Sequence, residues 1–245
     1  MDNSRLQAFE MAGSVAGHVA HDINNLLTPL MSCPVLIRHE VKENALVGEY
    51  LDIIEAKIGE MQKLTRQLQA FARVGRCGAT VFDFNEAISG VITVMKGFLP
   101  RGITITLDLA EPRLNVEGNR AQIATVIENL VQNAADAGGP FGGITVKTEK
   151  VHLDTPLEGL SGSLSAGDYV KLTVTDTGTG VPDDIRGRIF DPFFTTRKAS
   201  KPRGAGLGLS IVLVIVLNHL GGIDLKSRAG MGSSFSVYLP QRTER

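Results

Sequence analysis

The sequence predicts an α+β chain of two parts: an N-terminal helical hairpin that pairs with a second copy into a four-helix bundle, then an α/β sandwich domain. Apolar residues recur at threes and fours from Ser4 to about Arg73, the pattern of amphipathic helices. Val74-Gly75-Arg76-Cys77-Gly78-Ala79 breaks that pattern and reads as a linker. Beyond it, strand-like runs alternate with helical ones, the order of a sandwich domain. The expected boundaries are 1–75 for the hairpin, 76–80 for the linker and 81–245 for the sandwich.

The first helix is expected from Ser4 to about Glu40, with Leu6, Phe9, Val15, Val19, Ile23, Leu26, Leu27 and Leu30 forming its stripe. Pro29 cannot donate to the preceding turn, but apolar residues resume at Val35, Leu36 and Ile37, so a kink is expected there and not a stop. Lys42-Glu43-Asn44 is a polar break. The second helix, about Ala45 to Arg73, carries Val47, Leu51, Ile54, Ile58, Met61, Leu64, Leu68 and Phe71. One hairpin cannot cover both stripes, and a homodimer solves the problem.

In the second part, strands are expected over 103–107, 144–148 and 170–174, and near 223–226 and 234–239. Helices are expected over 120–137 and from about 207 to 219. The small polar segment 155–163 reads as a surface loop between two paired strands.

Bulk properties remove several function classes. A formal net charge of -1 argues against a general binder of nucleic acid or anionic membranes. No run approaches the roughly 18 apolar residues of a membrane span, and the start of the chain does not read as a signal peptide. Cys33 and Cys77 lack metal-site spacing, which fits a reduced, cytoplasmic setting.

The chemistry begins at His21-Asp22-Ile23-Asn24-Asn25. A neutral imidazole offers a lone pair near neutral pH, and an adjacent carboxylate can fix the tautomer and take up charge as the ring attacks. Asn25 falls one turn on, on the same helix face, where an amide can position a water. Taken alone, the stretch reads equally as solvated polar residues. His18 lacks an acidic residue directly after it and is the weaker nucleophile; His39, His152 and His219 read as surface or structural groups.

The second part carries features that gain meaning together. Asn129 and Asn133 lie four apart on one helical face beside Glu128, oxygen donors of the kind Mg²⁺ accepts, although asparagines at that spacing are more often capping or surface groups. Asp176-Thr177-Gly178-Thr179-Gly180 follows a strand; its Asp can accept from the exocyclic amine of a base, and its glycines permit positive φ and close approach, although in isolation it reads first as an ordinary Asp-Gly turn. In Phe190-Asp191-Pro192-Phe193-Phe194-Thr195-Thr196, the phenylalanines are expected to anchor a loop whose basic continuation, Arg197 and Lys198, covers an anion. Gly204-Ala205-Gly206-Leu207-Gly208 opens a helix whose N–H groups suit phosphate. It is neither a dinucleotide fingerprint nor a P-loop.

In this order, behind a hairpin bearing His21, these motifs resemble the catalytic core of a two-component sensor histidine kinase along nearly the whole chain. Ala20–Leu30 looks like the H box, Asn129–Ala137 the N box, Asp176–Gly180 the G1 box, Phe190–Thr196 the F box and Gly204–Leu209 the G2 box. The His-Asp-x-Asn-Asn-Leu-Leu form is similar to that of a subgroup in which hybrid kinases are common.

The resemblance implies a dimerisation and phosphotransfer hairpin followed by a Bergerat-type ATP-binding domain related to those of gyrase and MutL. It implies His21 as phosphoacceptor with Asp22 as its base, Asn133 as Mg²⁺ ligand with Asn129 beside it, and Asp176 as reader of the adenine amine. Gly178, Gly180, Gly204, Gly206, Leu207 and Gly208 would shape the lid and phosphate loops, and Arg197 or Lys198 would reach the γ-phosphate. The implied reaction is autophosphorylation from Mg·ATP and transfer to an aspartate of a response-regulator receiver domain, with an upstream sensor or signalling partner. Asn25 implies phosphatase activity toward the regulator. Asp136 departs from the basic residue found at this place in many members, which removes a phosphate contact there; Ala205 replaces a common Thr or Ser without chemical consequence. A conformational Bergerat ATPase leaves His21-Asp22 unexplained, and a non-catalytic scaffold leaves the second-domain motifs unexplained.

Overall fold

The computed structural model describes residues 3–41, 44–72, 78–111, 113–159, 162–196 and 206–242. The chain divides into two compact units, Asp2–Val74 and Gly75–Arg245.

The first unit is a pair of helices in contact, α1 (Asn3–Glu40) and α2 (Ala45–Ala72). The first runs through Pro29 and Pro34 without ending. Asn44 starts the second: its Oδ1 accepts from Leu46 N at 3.1 Å and Val47 N at 3.3 Å, supplying acceptors to otherwise unpaired first-turn donors. Ala20, Leu27, Leu51, Ile58 and Thr65 are buried, and Arg38 pairs with Asp52 across the hairpin. Much apolar surface stays in water: Leu26, Val35, Leu36, Leu46, Tyr50 and Ile53 are exposed.

The second unit is an α+β sandwich. It begins with β1 (Thr80–Asp83) and α3 (Phe84–Met95), followed by β2 (Thr104–Asp108) and β3 (Asn115–Gly118). Then come α4 (Arg120–Gly138), β4 (Gly143–Leu153), β5 (Leu157–Gly159), β6 (Gly162–Leu164) and β7 (Gly167–Asp176). It closes with α5 (Gly208–Asn218), β8 (Gly222–Ser227) and β9 (Ser233–Pro240). The main sheet has the order β2-β4-β7-β9-β8, with β2 parallel to β4 and the other pairs antiparallel. β1 pairs with β3 in a separate ribbon.

The strands alternate because one sheet face meets helices and the other meets water. Ile144 and Val146 of β4, Leu172 and Val174 of β7, and Val237 of β9 are buried, as are Ile123, Ile127 and Leu130 of α4 and Ile211 and Ile215 of α5. On the opposite face Thr175 Oγ1 meets Ser234 Oγ at 2.9 Å, and Lys171 Nζ donates to Glu149 Oε1 at 2.8 Å.

Two expectations need correction. The segment 155–163 does join the paired strands β4 and β7, but it is no plain loop: β5 and β6 form a small hairpin, and buried Leu164 packs with Tyr169 and Tyr238. The run before β2 holds a ribbon strand and a full helix that the strand-and-helix reading passed over.

Candidate functional site

Asn119 caps α4, its Oδ1 accepting from Ala121 N at 3.0 Å and Gln122 N at 3.2 Å. The apolar stripe from Ile123 to Ala135 buries one face, which leaves Asn129 and Asn133 half-buried at its edge. Asn129 Nδ2 donates to Thr125 O at 2.8 Å, so its Oδ1 faces the first turn of α5. A Cβ at Gly208 would sit 3.0 Å from Asn129 Oδ1 and 3.8 Å from Asn133 Nδ2. Glycine at 208 therefore brings backbone N–H groups at the start of a helix up against two amide side chains.

Asp176 ends β7 and is 5% exposed. Its Oδ1 accepts from Gly178 N at 2.8 Å. Burial pushes its carboxyl above the usual range, against the lowering effect of N–H donation from Gly178 and Ser233. Such a carboxyl retains acceptor capacity for one exocyclic amine. Gly178 does not take positive φ; it is needed because a Cβ would lie 2.5 Å from the Ala137 carbonyl carbon. Gly180 does take it, at φ +69.

The turn between β8 and β9 completes this corner, and sequence reasoning missed it. Gly230 N donates to Thr179 O at 2.7 Å, and Gly232 has φ +82, where a Cβ would overlap the Asp176 carbonyl oxygen. The available signal was Gly230-Met231-Gly232 directly before the last strand.

Phe190 is buried, but the expected three-ring anchor is not formed. Phe193 is 66% exposed and holds φ +65, while Phe194 lies beside the Arg188 guanidinium, 4.7 Å from its carbon to the ring centre. A turn at 191–194 that reverses this tightly cannot direct all its side chains inward. Gly206, at φ +67, packs on the same turn: its Cβ would lie 2.7 Å from Phe194 O. Thus the residues flanking 197–205 meet. Leu207 is buried and its carbonyl accepts from Ile211 N at 2.9 Å, which starts α5.

Asn133, Asn129, Gly206, Leu207 and Gly208 are thus brought to one corner, and Asp176, Gly178 and Gly180 to a turn packed on the C-terminal end of α4. Arg197, Lys198 and Gly204 lie outside the described residues, as do the side chains of His21 and Asp22. Asn25 is exposed on α1. Amide oxygens and helix-start N–H groups at one end, and a buried carboxyl at the other, suit a purine nucleotide: phosphates to the first, base to the second.

The chain is 32% identical to the sensor kinase CckA of Brucella abortus (strain 2308) over 239 residues, 97% of this chain and 25% of that protein. It spans between a quarter and about half of the length of the curated sensor kinases it matches. Among solved structures, full-length ShkA in complex with AMPPNP matches with a TM-score of 0.73 at 20% identity, over 94% of this chain and 46% of that one. The histidine kinase ThkA in complex with the response regulator TrrA matches with a TM-score of 0.60 at 23% identity, over 97% and 64%. At these identities the structures establish the fold alone. Residues 118–243 match the family described as histidine kinase-, DNA gyrase B-, and HSP90-like ATPase, and that stretch contains the corner built by Asn129, Asn133, Asp176 and Gly208. The chain belongs to the histidine kinase-, DNA gyrase B-, and HSP90-like ATPase family.

Proposed function

We propose that this chain is the catalytic core of a sensor histidine kinase, which phosphorylates itself on His21 from Mg·ATP and passes the phosphoryl group to an aspartate of a response-regulator receiver domain. The observation that carries this reading is the likeness to a sensor kinase over 97% of the chain, so that the hairpin with His21 matches as well as the nucleotide corner. The match to a kinase solved with its response regulator supports the choice of partner.

In this reading residues 1–75 dimerise and carry the phosphoacceptor, 76–80 link, and 81–245 bind ATP. Asp176 accepts from the adenine amine, and the N–H groups at Gly206–Gly208 receive the phosphates. Asn133, with Asn129, fits a Mg²⁺ ion: both amides are half-buried, no side chain at Gly208 intrudes, and amide oxygen is a hard donor. When bound, the ion neutralises phosphate charge. Arg197 or Lys198 supplies further positive charge at the γ-phosphate.

A lone-pair nitrogen of His21 attacks the γ-phosphorus; the N–P bond forms as the bond to the ADP oxygen breaks, and Asp22 accepts a hydrogen bond from the other ring nitrogen. Positioning and charge neutralisation supply most of the catalysis. The exposed apolar side chains of α1 and α2 support a homodimeric four-helix bundle. Asn25, exposed one turn beyond His21, supports water positioning for dephosphorylation of the regulator.

Incubation with γ-labelled Mg·ATP tests the reading. The expected result is an acid-labile, alkali-stable label on the chain that His21→Gln abolishes. Release of inorganic phosphate with no phosphoprotein contradicts it.

A further inference from the structure

His219 is a titratable group that the proposed chemistry does not use, and it is 2% exposed. It follows the last residue of α5, and its ring reaches across to α4. Nδ1 lies 2.7 Å from Ile215 O and Nε2 lies 3.1 Å from the backbone N–H of Asn119. A carbonyl can only accept and an N–H can only donate, so the ring is neutral, protonated on Nδ1, with its Nε2 lone pair taken by the Asn119 N–H. Space for the ring exists because residue 118 is glycine: a Cβ there would overlap Cδ2 and lie 2.6 Å from Nε2.

Asn119 is the cap of α4. α4 and α5 therefore meet at two levels: at one end Asn129 and Asn133 face Gly208, and at the other Asn119 is held by His219. With 11 residues in α5 and a 1.5 Å rise, the levels are roughly 16 Å apart. Interdigitating apolar side chains hold the helices together and limit their sliding, but the apolar attraction itself has no direction. The hydrogen bond from a fixed backbone N–H to a ring locked by its own helix is directional and adds a fixed point to that register.

We infer that His219 is a positioning residue for the nucleotide site: through Asn119 it fixes how far the N-terminal turn of α5 stands from the amides of Asn129 and Asn133. The inference rests on the nucleotide reading above. Losing the bond frees α5 to slide, and the phosphate-facing N–H groups move relative to the amides.

The test measures Mg·AMPPNP affinity of the full chain by calorimetry, at a temperature where near-ultraviolet circular dichroism shows each variant folded. His219→Leu removes the acceptor and is expected to weaken affinity about tenfold, within the usual range of coupling between separated sites. His219→Gln returns an acceptor at a similar reach and is expected to stay within about threefold of the parent. Gly118→Ala wedges the intact ring away and is expected to match the Leu variant. A nitrogen-15 spectrum of the parent is expected to show a neutral His219 ring protonated on Nδ1. Equal affinity in all folded variants, or a Gln variant as weak as Leu, overturns the positioning role alone. No AMPPNP binding by the parent overturns the nucleotide reading and this inference with it.

Discussion

Asp176 carries opposite demands. Its buried carboxyl is held above the usual range, so its contribution to stability is full in acid and is lost as pH rises through its folded value. The charged form is therefore a cost to the fold, one that the proposed base-reading role accounts for. Asp176→Asn keeps an oxygen for the Gly178 N–H but directs an amide against the adenine amine. It is expected to raise the thermal midpoint at pH 7 while weakening ATP binding at least about tenfold, checked by scanning calorimetry and nucleotide titration; a variant that is less stable and binds as well would contradict this assignment. Gly232 is constrained differently, by φ +82 and by the Asp176 carbonyl at the place of a Cβ. Gly232→Ala is expected to cost more than about 2 kcal/mol in denaturant unfolding, from backbone strain and overlap together. The turn at Asp176 was legible because a strand followed by Asp and glycines marks one, but an ordinary Asp-Gly turn reads the same way, and only the order of all the motifs pointed to a nucleotide. Ser233 and Gly232 were not, because their importance comes from a hairpin distant in sequence that folds back on the Asp176 turn. Phe193 shows the converse: three phenylalanines suggested an anchor, and the turn's backbone geometry turned one outward.

At the scale of elements, helices with long periodic stripes were legible with near-correct ends, and so were the central strands. β1 and α3 were not, although the local signal existed. Asp83 and Glu86 stand three apart before Ala87, Ile88 and Ile92, and Asp83 Oδ1 accepts from Asn85 N at 2.9 Å. Asp83→Ala is expected to destabilise the second unit by about 1 kcal/mol, the worth of an N-cap, in urea unfolding. The four-residue strand β1 is too short for alternation to speak, and its pairing with β3 is set by the fold. In the first unit the exposed apolar residues of α1 and α2 give the proposed dimer its test. Replacing Val35 and Leu46 together with Lys is expected to convert the chain to monomer in light scattering while ATP binding persists. An unchanged dimer would place the interface elsewhere.

Across the whole molecule, two units of different character share one proposed reaction: a helical pair whose sequence contains His21, and a sandwich that assembles the nucleotide corner from residues as far apart in sequence as Asn129 and Gly232. The order of motifs was legible because each needs only a short stretch. Their convergence was not, since it depends on the sheet order β2-β4-β7-β9-β8, which brings the ends of β7 and β9 together. The most direct measurement is mass-spectrometric mapping of the phosphorylated residue, at neutral to alkaline pH, after incubation with Mg·ATP. The account predicts the phosphoryl group on His21 and its disappearance in Asp176→Asn. Phosphate on His18 or elsewhere with His21 unmodified, or an unmodified chain that still hydrolyses ATP, would contradict it.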